Sequence, residues 1–209
     1  MKDSRWIDAT MRTTQRYAGA EPPNRWVPVL GRPAGGQDGP DERDAMPDED
    51  ARITDADRDR LRDAIVVSAR ARARGNHPFG AVLVDPAGTV VLEAENTVVT
   101  DTDCTGHAET NLVRLAWRTI GPAALPGYSL YTSCEPCAMC SGAIYWSGIG
   151  RVVFAMTEGR LAAITGSSPE NPTMALPSRV VLASGQREIA VRGPALSEEA
   201  AAIHDGFWR

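Results

Sequence analysis

Residues 131–140 read YTSCEPCAMC and set three of the chain's four cysteines, Cys134, Cys137 and Cys140, at intervals of three around one proline. Proline has φ fixed near −65° and no N–H, so it suits the first turn of a helix and holds the preceding residue extended. Pro136 therefore divides the stretch. Cys134 and Glu135 end a strand, whereas Cys137 and Cys140 lie one turn apart on one face of the helix that follows. Amides and the dipole at a helix N-terminus favour thiolate over thiol, and thiolate is what zinc binds. Cys137 and Cys140 are the natural metal pair, with Cys134 spare.

The rest of the chain supplies the frame for such a junction. Thr54, with Asp57 three residues on, reads as the cap of a helix that presents Leu61, Ala64, Ile65 and Ser68 on one face and stops at Gly75. FGAVLVDPAGTVVLEAEN reads as two strands around the turn at residues 85–88, the first apolar enough to be buried on both faces, and is expected to be a central hairpin. Thr105 is expected to cap a second helix through His107, Leu112, Leu115 and Ala116, ended by Gly121-Pro122. Residues 128–132 and RVVFAM read as further strands, EIAV near residue 190 as a fifth, and Ser197 as the cap of a closing helix. Helices alternating with strands predict a layered α/β sheet.

A chain of 209 residues, 43% of them hydrophobic, is enough for one ordinary domain. Residues 1–50 mix Pro, Gly and charge without apolar periodicity and are expected to be a largely disordered extension, leaving residues 51–209 as the domain. Clustered cysteines and the lack of a charged-then-apolar leader lead us to expect a cytoplasmic protein. No apolar run approaches the roughly 20 residues that cross a bilayer, and mean hydropathy is −0.26. The net charge of −5 disfavours nucleic acid as a partner.

Two thiolates leave a tetrahedral zinc short of protein ligands, and the other soft or nitrogen donors are Cys104, His77, His107 and His204. His107 is the best candidate, because it opens a helix after a polar loop. Glu109 follows about 200° around that helix, so one side chain can bind metal while the other handles protons. Three protein ligands leave a fourth zinc position to water and lower that water's pKa to about 7. Other readings stand beside this one. Cys137 and Cys140 also suit a redox dithiol, or a non-catalytic structural zinc module with Cys134 as a further ligand. His77 and His204 read as surface or packing histidines, Cys104 as a small structural hydrophobe, Asn96 as a turn amide, and Phe79 and Trp146 as core.

His107-Ala108-Glu109 followed by Pro136-Cys137-Ala138-Met139-Cys140 matches the zinc deaminase signature of nucleobase and nucleoside deaminases. From about Asp55 onward the chain resembles the cytidine deaminase-like superfamily, in the branch of guanine deaminases and tRNA adenosine deaminases. HPFGAVLV, Asn96 and TSCEPCAMCSGAIYW are similar to the guanine enzymes, and SGIGRVVF is similar to the tRNA enzymes. The resemblance implies a three-layer α/β/α sandwich with a mixed five-stranded sheet, zinc on His107, Cys137 and Cys140, and Glu109 as the proton shuttle. It implies Asn96 on the purine edge, Phe79 and Trp146 shaping the pocket, and helix-start amides at Ala108 and Cys137 donating to the new oxygen. The implied substrate is a small-molecule free nucleobase, a guanine-like purine favoured, with tRNA adenosine or cytosine as the alternatives; a homodimer is implied too. Guanine deaminases also place a base-reading acid within the stretch that here reads TEGRLAAITGSSPE, where Ser167 and Ser168 stand near its register.

Overall fold

The structure is a computed structural model that describes residues 53–166, 168, 171–172 and 174–208. The expected extension at residues 1–50 lies outside the described residues. Helix α1 spans Asp55–Ala73, and its start is the expected capping box: Thr54 Oγ1 accepts from the Asp57 N–H at 3.1 Å while Asp57 Oδ2 accepts from the Thr54 N–H at 2.9 Å. Strands β1 (Gly80–Val84) and β2 (Val90–Glu95) form the hairpin, followed by α2 (Ala108–Thr119), β3 (Ser129–Cys134), α3 (Ala138–Ser147) and β4 (Arg151–Met156). Helices α4 (Glu158–Thr165) and α5 (Ser178–Ala183), strand β5 (Ala190–Arg192) and helix α6 (Ser197–Ala202) complete the order.

The sheet runs β2-β1-β3-β4-β5, antiparallel through β2, β1 and β3 and parallel through β3, β4 and β5. It is the mixed five-stranded sheet that the resemblance implies. Helices α1 and α6 pack on one face; α2 and α3 pack on the other, with α5 against α3. Strand β1 is buried along its whole length, as its unbroken apolar run predicts. At Gly80 the backbone of α1 comes so close that a Cβ would lie 2.4 Å from the Ser68 nitrogen, so only glycine lets helix and sheet meet there.

Four local expectations are corrected. The hairpin is not central, because β2 is an edge strand whose residues alternate between exposed and half-buried. Thr105 does not cap α2. Its hydroxyl donates to Asp103 Oδ1 at 2.7 Å within the preceding loop, and His107 takes the cap position. Leu115, placed on the inner face of that helix, is 39% exposed. Ser197 does not cap α6 either. Its hydroxyl donates to the Ala155 carbonyl at 3.1 Å, and Leu196, in the left-handed region at φ 61°, precedes the helix. Helices α4 and α5 went unseen because they are only 8 and 6 residues long and sit beside a Gly, Ser and Pro-rich stretch.

The topology sets up one edge of the sheet. Strands β2, β3 and β4 all end there and β1 begins there, as the pairings Gly80 with Glu95, Ala81 with Thr132 and Cys134 with Met156 require. Open α/β sheets bind ligands outside the carboxyl ends of their strands.

Candidate metal and active site

His107 and Cys137 occupy the N-cap positions of α2 and α3, and neither side chain caps its own helix. Both are therefore free to face outward from the sheet edge, and Cys140 follows one turn into α3. His107 Nδ1 lies 3.6 Å from the sulfurs of both Cys137 and Cys140, and all three ligand atoms fall within 4.8 Å of one another. Tetrahedral zinc with bonds of about 2.3 Å to sulfur and 2.05 Å to nitrogen separates an S and an N ligand by about 3.6 Å. The donor set fits that ion without rearrangement. Among the described residues this is the one such cluster, and Cys134 is outside it.

The electrostatics follow from burial and from one another's charge. Cys137 is pulled down to about 4, first by the hydrogen bond from Cys140 and then by His107, so one thiolate stands ready for the metal. His107 is pushed up, chiefly by its bond to that sulfur. The Thr110 hydroxyl sits 3.3 Å from Cys140 Sγ, a supporting contact for the second ligand. Cys134 is 2% exposed, and burial, followed by the charges of Glu158, Glu109 and Glu135, holds it well above the usual thiol range. It stays a neutral thiol, which disfavours the further-ligand reading. Cys104, read as a small structural hydrophobe, is exposed.

Glu109 is 5% exposed and its carboxyl is pushed up, first by burial and then by the charge on Cys137. Thr132 Oγ1 lies 2.7 Å from Glu109 Oε1 and 3.0 Å from the Cys134 carbonyl. A hydroxyl has one hydrogen to give. When Glu109 is ionised Thr132 donates to it; when Glu109 is protonated it can donate to Thr132, which then donates to the Cys134 carbonyl. The carboxyl is thus held in both protonation states with Oε2 left for chemistry.

Asn96, just beyond β2, is fully buried. Its Oδ1 accepts from the Val98 N–H at 3.1 Å, while Nδ2 is buried with no partner among the described residues. Burying an amide N–H without an acceptor costs about 1–3 kcal/mol, so the arrangement points to a missing acceptor. Phe79 is 9% exposed at the start of β1; its carbonyl accepts from the Asn96 N–H at 3.0 Å and its ring meets His204 edge-on with centroids 5.3 Å apart. Ala108 is the first residue of α2, where an amide has no partner within the helix. Trp146 is 76% exposed, so it is not core, and it lines a surface groove with Val113, Trp117 and Ala143. The reason is helical phase: it stands about 200° around α3 from the buried Ile144. His204 is a packing residue, 2% exposed, pushed down to about 4 by burial and bonded to the Trp208 indole N–H at 3.0 Å. The His77 ring lies tilted against the Trp208 ring, with centroids 5.2 Å apart.

Sequence reasoning missed Thr132, Glu135 and Glu158. Glu135 is 7% exposed and fully partnered: Oε2 accepts from the Glu158 N–H at 3.1 Å, and Oε1 accepts from the Ser178 N–H at 2.9 Å and hydroxyl at 2.8 Å. Glu158, at the first position of α4, is 9% exposed and raised to about 7, first by burial and then by Cys137, Glu109 and Glu135. Its place immediately beyond β4, at the strand ends that also carry Cys134 and Asn96, was the signal available in the sequence.

Residues 54–156 match the family described as the cytidine and deoxycytidylate deaminase zinc-binding region. The chain is 44% identical over 148 residues to a probable cytosine deaminase of Schizosaccharomyces pombe, covering 71% of this chain and 90% of that protein. It is 37% identical over 104 residues to a tRNA-specific adenosine deaminase of Haemophilus influenzae, covering 50% of this chain and 60% of that protein. In structure it is similar to a guanine deaminase from Nitrosomonas europaea, with a TM-score of 0.62, 26% identity, and coverage of 73% and 85% of the two chains.

Proposed function

The chain belongs to the cytidine and deoxycytidylate deaminase zinc-binding family, and from that premise we propose that it replaces the exocyclic amine of a free nucleobase by oxygen, with cytosine the favoured base and guanine the second reading. The observation that carries the free-base reading is the unpartnered, fully buried Asn96 Nδ2 at the same sheet edge as His107, Cys137, Cys140 and Glu109. A donor so placed calls for a carbonyl oxygen or ring nitrogen on the ligand.

In this reading His107, Cys137 and Cys140 hold zinc, which supplies a Lewis acid and lowers the pKa of water to about 7. Glu109 takes a proton from the attacking water through Oε2 and delivers it to the ring nitrogen. It then carries the second proton to the departing ammonia. Thr132 keeps the carboxyl in place through both transfers. In this reading the helix-start amides at Ala108 and Cys137 donate to developing negative charge.

Cytosine is favoured over the purine that the motifs alone suggest, because the cytosine deaminase relative is matched over 90% of its length. Likeness to the guanine deaminase structure supports the second reading. The charge of −5 weighs against an anticodon loop, whose recognition needs phosphate contacts. Self-association belongs to this reading as well, supported by Trp117 and Trp146, 46% and 76% exposed on adjacent helices. Ammonia release from cytosine, guanine, adenine, cytidine and an anticodon stem-loop across a salt series tests the proposal. Turnover of a free base, insensitive to salt, is expected; salt-sensitive turnover of the stem-loop alone would overturn it.

A further inference from the structure

Asn111 stands in α2 one turn beyond His107 and two residues beyond Glu109, and the mechanism above gives it no task. Asparagine is a poor residue for a helix interior, because its amide competes for backbone groups. Here the amide bonds to groups outside its own helix. Nδ2 donates to the Glu95 carbonyl at 3.0 Å, to Thr97 Oγ1 at 3.0 Å and to the Gly106 carbonyl at 3.2 Å. An amide nitrogen has two hydrogens, so one of them is shared between two acceptors. With three acceptors around Nδ2 and the Arg114 guanidinium donating to Oδ1, the direction of the amide is fixed.

Those three acceptors belong to the two segments whose spacing matters most to the site. Glu95 and Thr97 flank Asn96, and Gly106 precedes His107. The Thr97 N–H donates to the Gly106 carbonyl at 2.8 Å and closes the loop of residues 97–106 at its neck, and Asn111 bonds to both sides of that neck. The fit is tight. A Cβ on Gly106 would lie 2.9 Å from Thr97 Oγ1 and 3.0 Å from the Asp103 carbonyl, so only glycine lets the two sides meet. Asn96 itself bonds elsewhere, through its N–H to the Phe79 carbonyl and through Oδ1 to the Val98 N–H. Its neighbours on both sides are tied by one amide to the helix that carries Glu109.

We propose that Asn111 is a positioning residue whose amide sets the distance between the Asn96 side chain, which meets the base, and the His107 and Glu109 end of α2, where the base is attacked. The inference rests on the free-base reading above, in which Asn96 Nδ2 donates to the ligand. Asn111 acts through Asn96 and makes no contact of its own with the base. Misplacing a substrate-holding group by about 1 Å can cost on the order of a hundredfold in rate, so bonds at the neck of this loop bear directly on the chemistry.

The test measures dissociation constants of cytosine and guanine for the zinc-loaded Glu109→Gln protein, alone and with Asn96→Ala, Asn111→Leu or both. Leucine has nearly the shape of asparagine and no donor. Zinc content and circular dichroism are followed throughout. Asn96→Ala is expected to weaken the preferred base about tenfold and Asn111→Leu about fivefold, with zinc retained. The two losses should not multiply: on top of Asn96→Ala, Asn111→Leu should change the constant by less than about twofold, as for residues that act as a unit. If Asn111→Leu does not fold, Thr97→Val, which keeps the volume and removes one of the three acceptors, takes its place with an expected loss of about threefold and the same criterion. A full further loss on top of Asn96→Ala, loss of zinc from Asn111→Leu, or unchanged binding in Asn111→Leu beside a weakened Asn96→Ala would each overturn the assignment. Binding that Asn96→Ala leaves untouched, or no free base bound by Glu109→Gln together with no ammonia from the wild-type chain, would instead overturn the reading it rests on.

Discussion

Two buried polar clusters sit at opposite edges of the same sheet, and they are finished differently. At the N-terminal ends of β3 and β4, Asp57 is 3% exposed and accepts from Tyr131 Oη at 2.7 Å and from Arg151 at 2.8 and 2.9 Å, while Arg151 also donates to Tyr131 Oη at 2.7 Å. Thr54 adds two donors from the helix cap. Lone pairs and hydrogens are matched there, and the Arg151 and Tyr131 bonds hold the Asp57 carboxyl well below the usual range despite the opposing, larger effect of burial. At the carboxyl ends of the strands, Asn96 Nδ2 is buried without a partner among the described residues, and Glu109 is pushed up. A matched cluster stabilises the fold; an unmatched one marks where a ligand completes it.

Changes at the unmatched edge should abolish chemistry and spare the fold. His107→Ala and Cys140→Ala are expected to lose zinc and all turnover, whereas Cys134→Ala keeps both, as metal analysis of the purified variants will show. Retained zinc in Cys140→Ala with loss in Cys134→Ala would mean that Pro136 does not divide the cysteines as argued. Glu109→Gln should keep zinc and unfolding midpoint yet lose at least about a hundredfold in turnover, the usual worth of a positioned acid–base group.

At the matched edge the outcome should reverse. Asp57→Asn removes the charge that Arg151 and Tyr131 surround, and breaking a buried pair of this kind costs about 3 kcal/mol, reduced somewhat because the Arg151 side chain is 28% exposed. Turnover per folded molecule should stay within about twofold. The pH dependence has a definite sign. Asp57 is depressed in the folded state, so its contribution is complete above the unfolded value near 3.9 and is lost as pH falls toward the lower folded value. Denaturant unfolding between pH 5 and 2.5 should therefore show an acid-side loss in the wild type that is reduced in Asp57→Asn.

The matched cluster and the metal ligands were unequally legible in the sequence. The capping box at Thr54 and the ligand pair at Cys137 and Cys140 depend on local rules, a cap four residues long and a proline that fixes one turn, so residue order alone exposes them. Glu158 and Thr132 acquire meaning only from strand order, because their partners lie 23 or more residues away and are brought near by crossover connections. Trp146 illustrates the converse. Its residue type reads as core, but helical phase turns the side chain to the surface, and the packing of α3 on α2 reveals that.

The smallest effects provide the sharpest contrast, because Tyr131 and Thr132 are neighbours on β3 whose side chains point to opposite faces of the sheet. Tyr131 reaches Asp57 in α1; Thr132 reaches Glu109 in α2. Tyr131→Phe removes one hydroxyl from a cluster that keeps its Asp57–Arg151 pair, and should cost about 1 kcal/mol with unchanged turnover. Thr132→Val keeps the volume and removes the donor to Glu109, so turnover should fall about tenfold at neutral pH. The direction with pH follows from the lost bond: a donor that favours the carboxylate is gone, the Glu109 carboxyl rises further, and the acid limb of the turnover profile moves to higher pH. Thr132→Ser, which restores the hydroxyl, should bring the limb back. If Thr132→Val lowers turnover without moving the limb, the residue shapes the pocket and does not hold the proton carrier, and the difference between the two edges would narrow to Asn96.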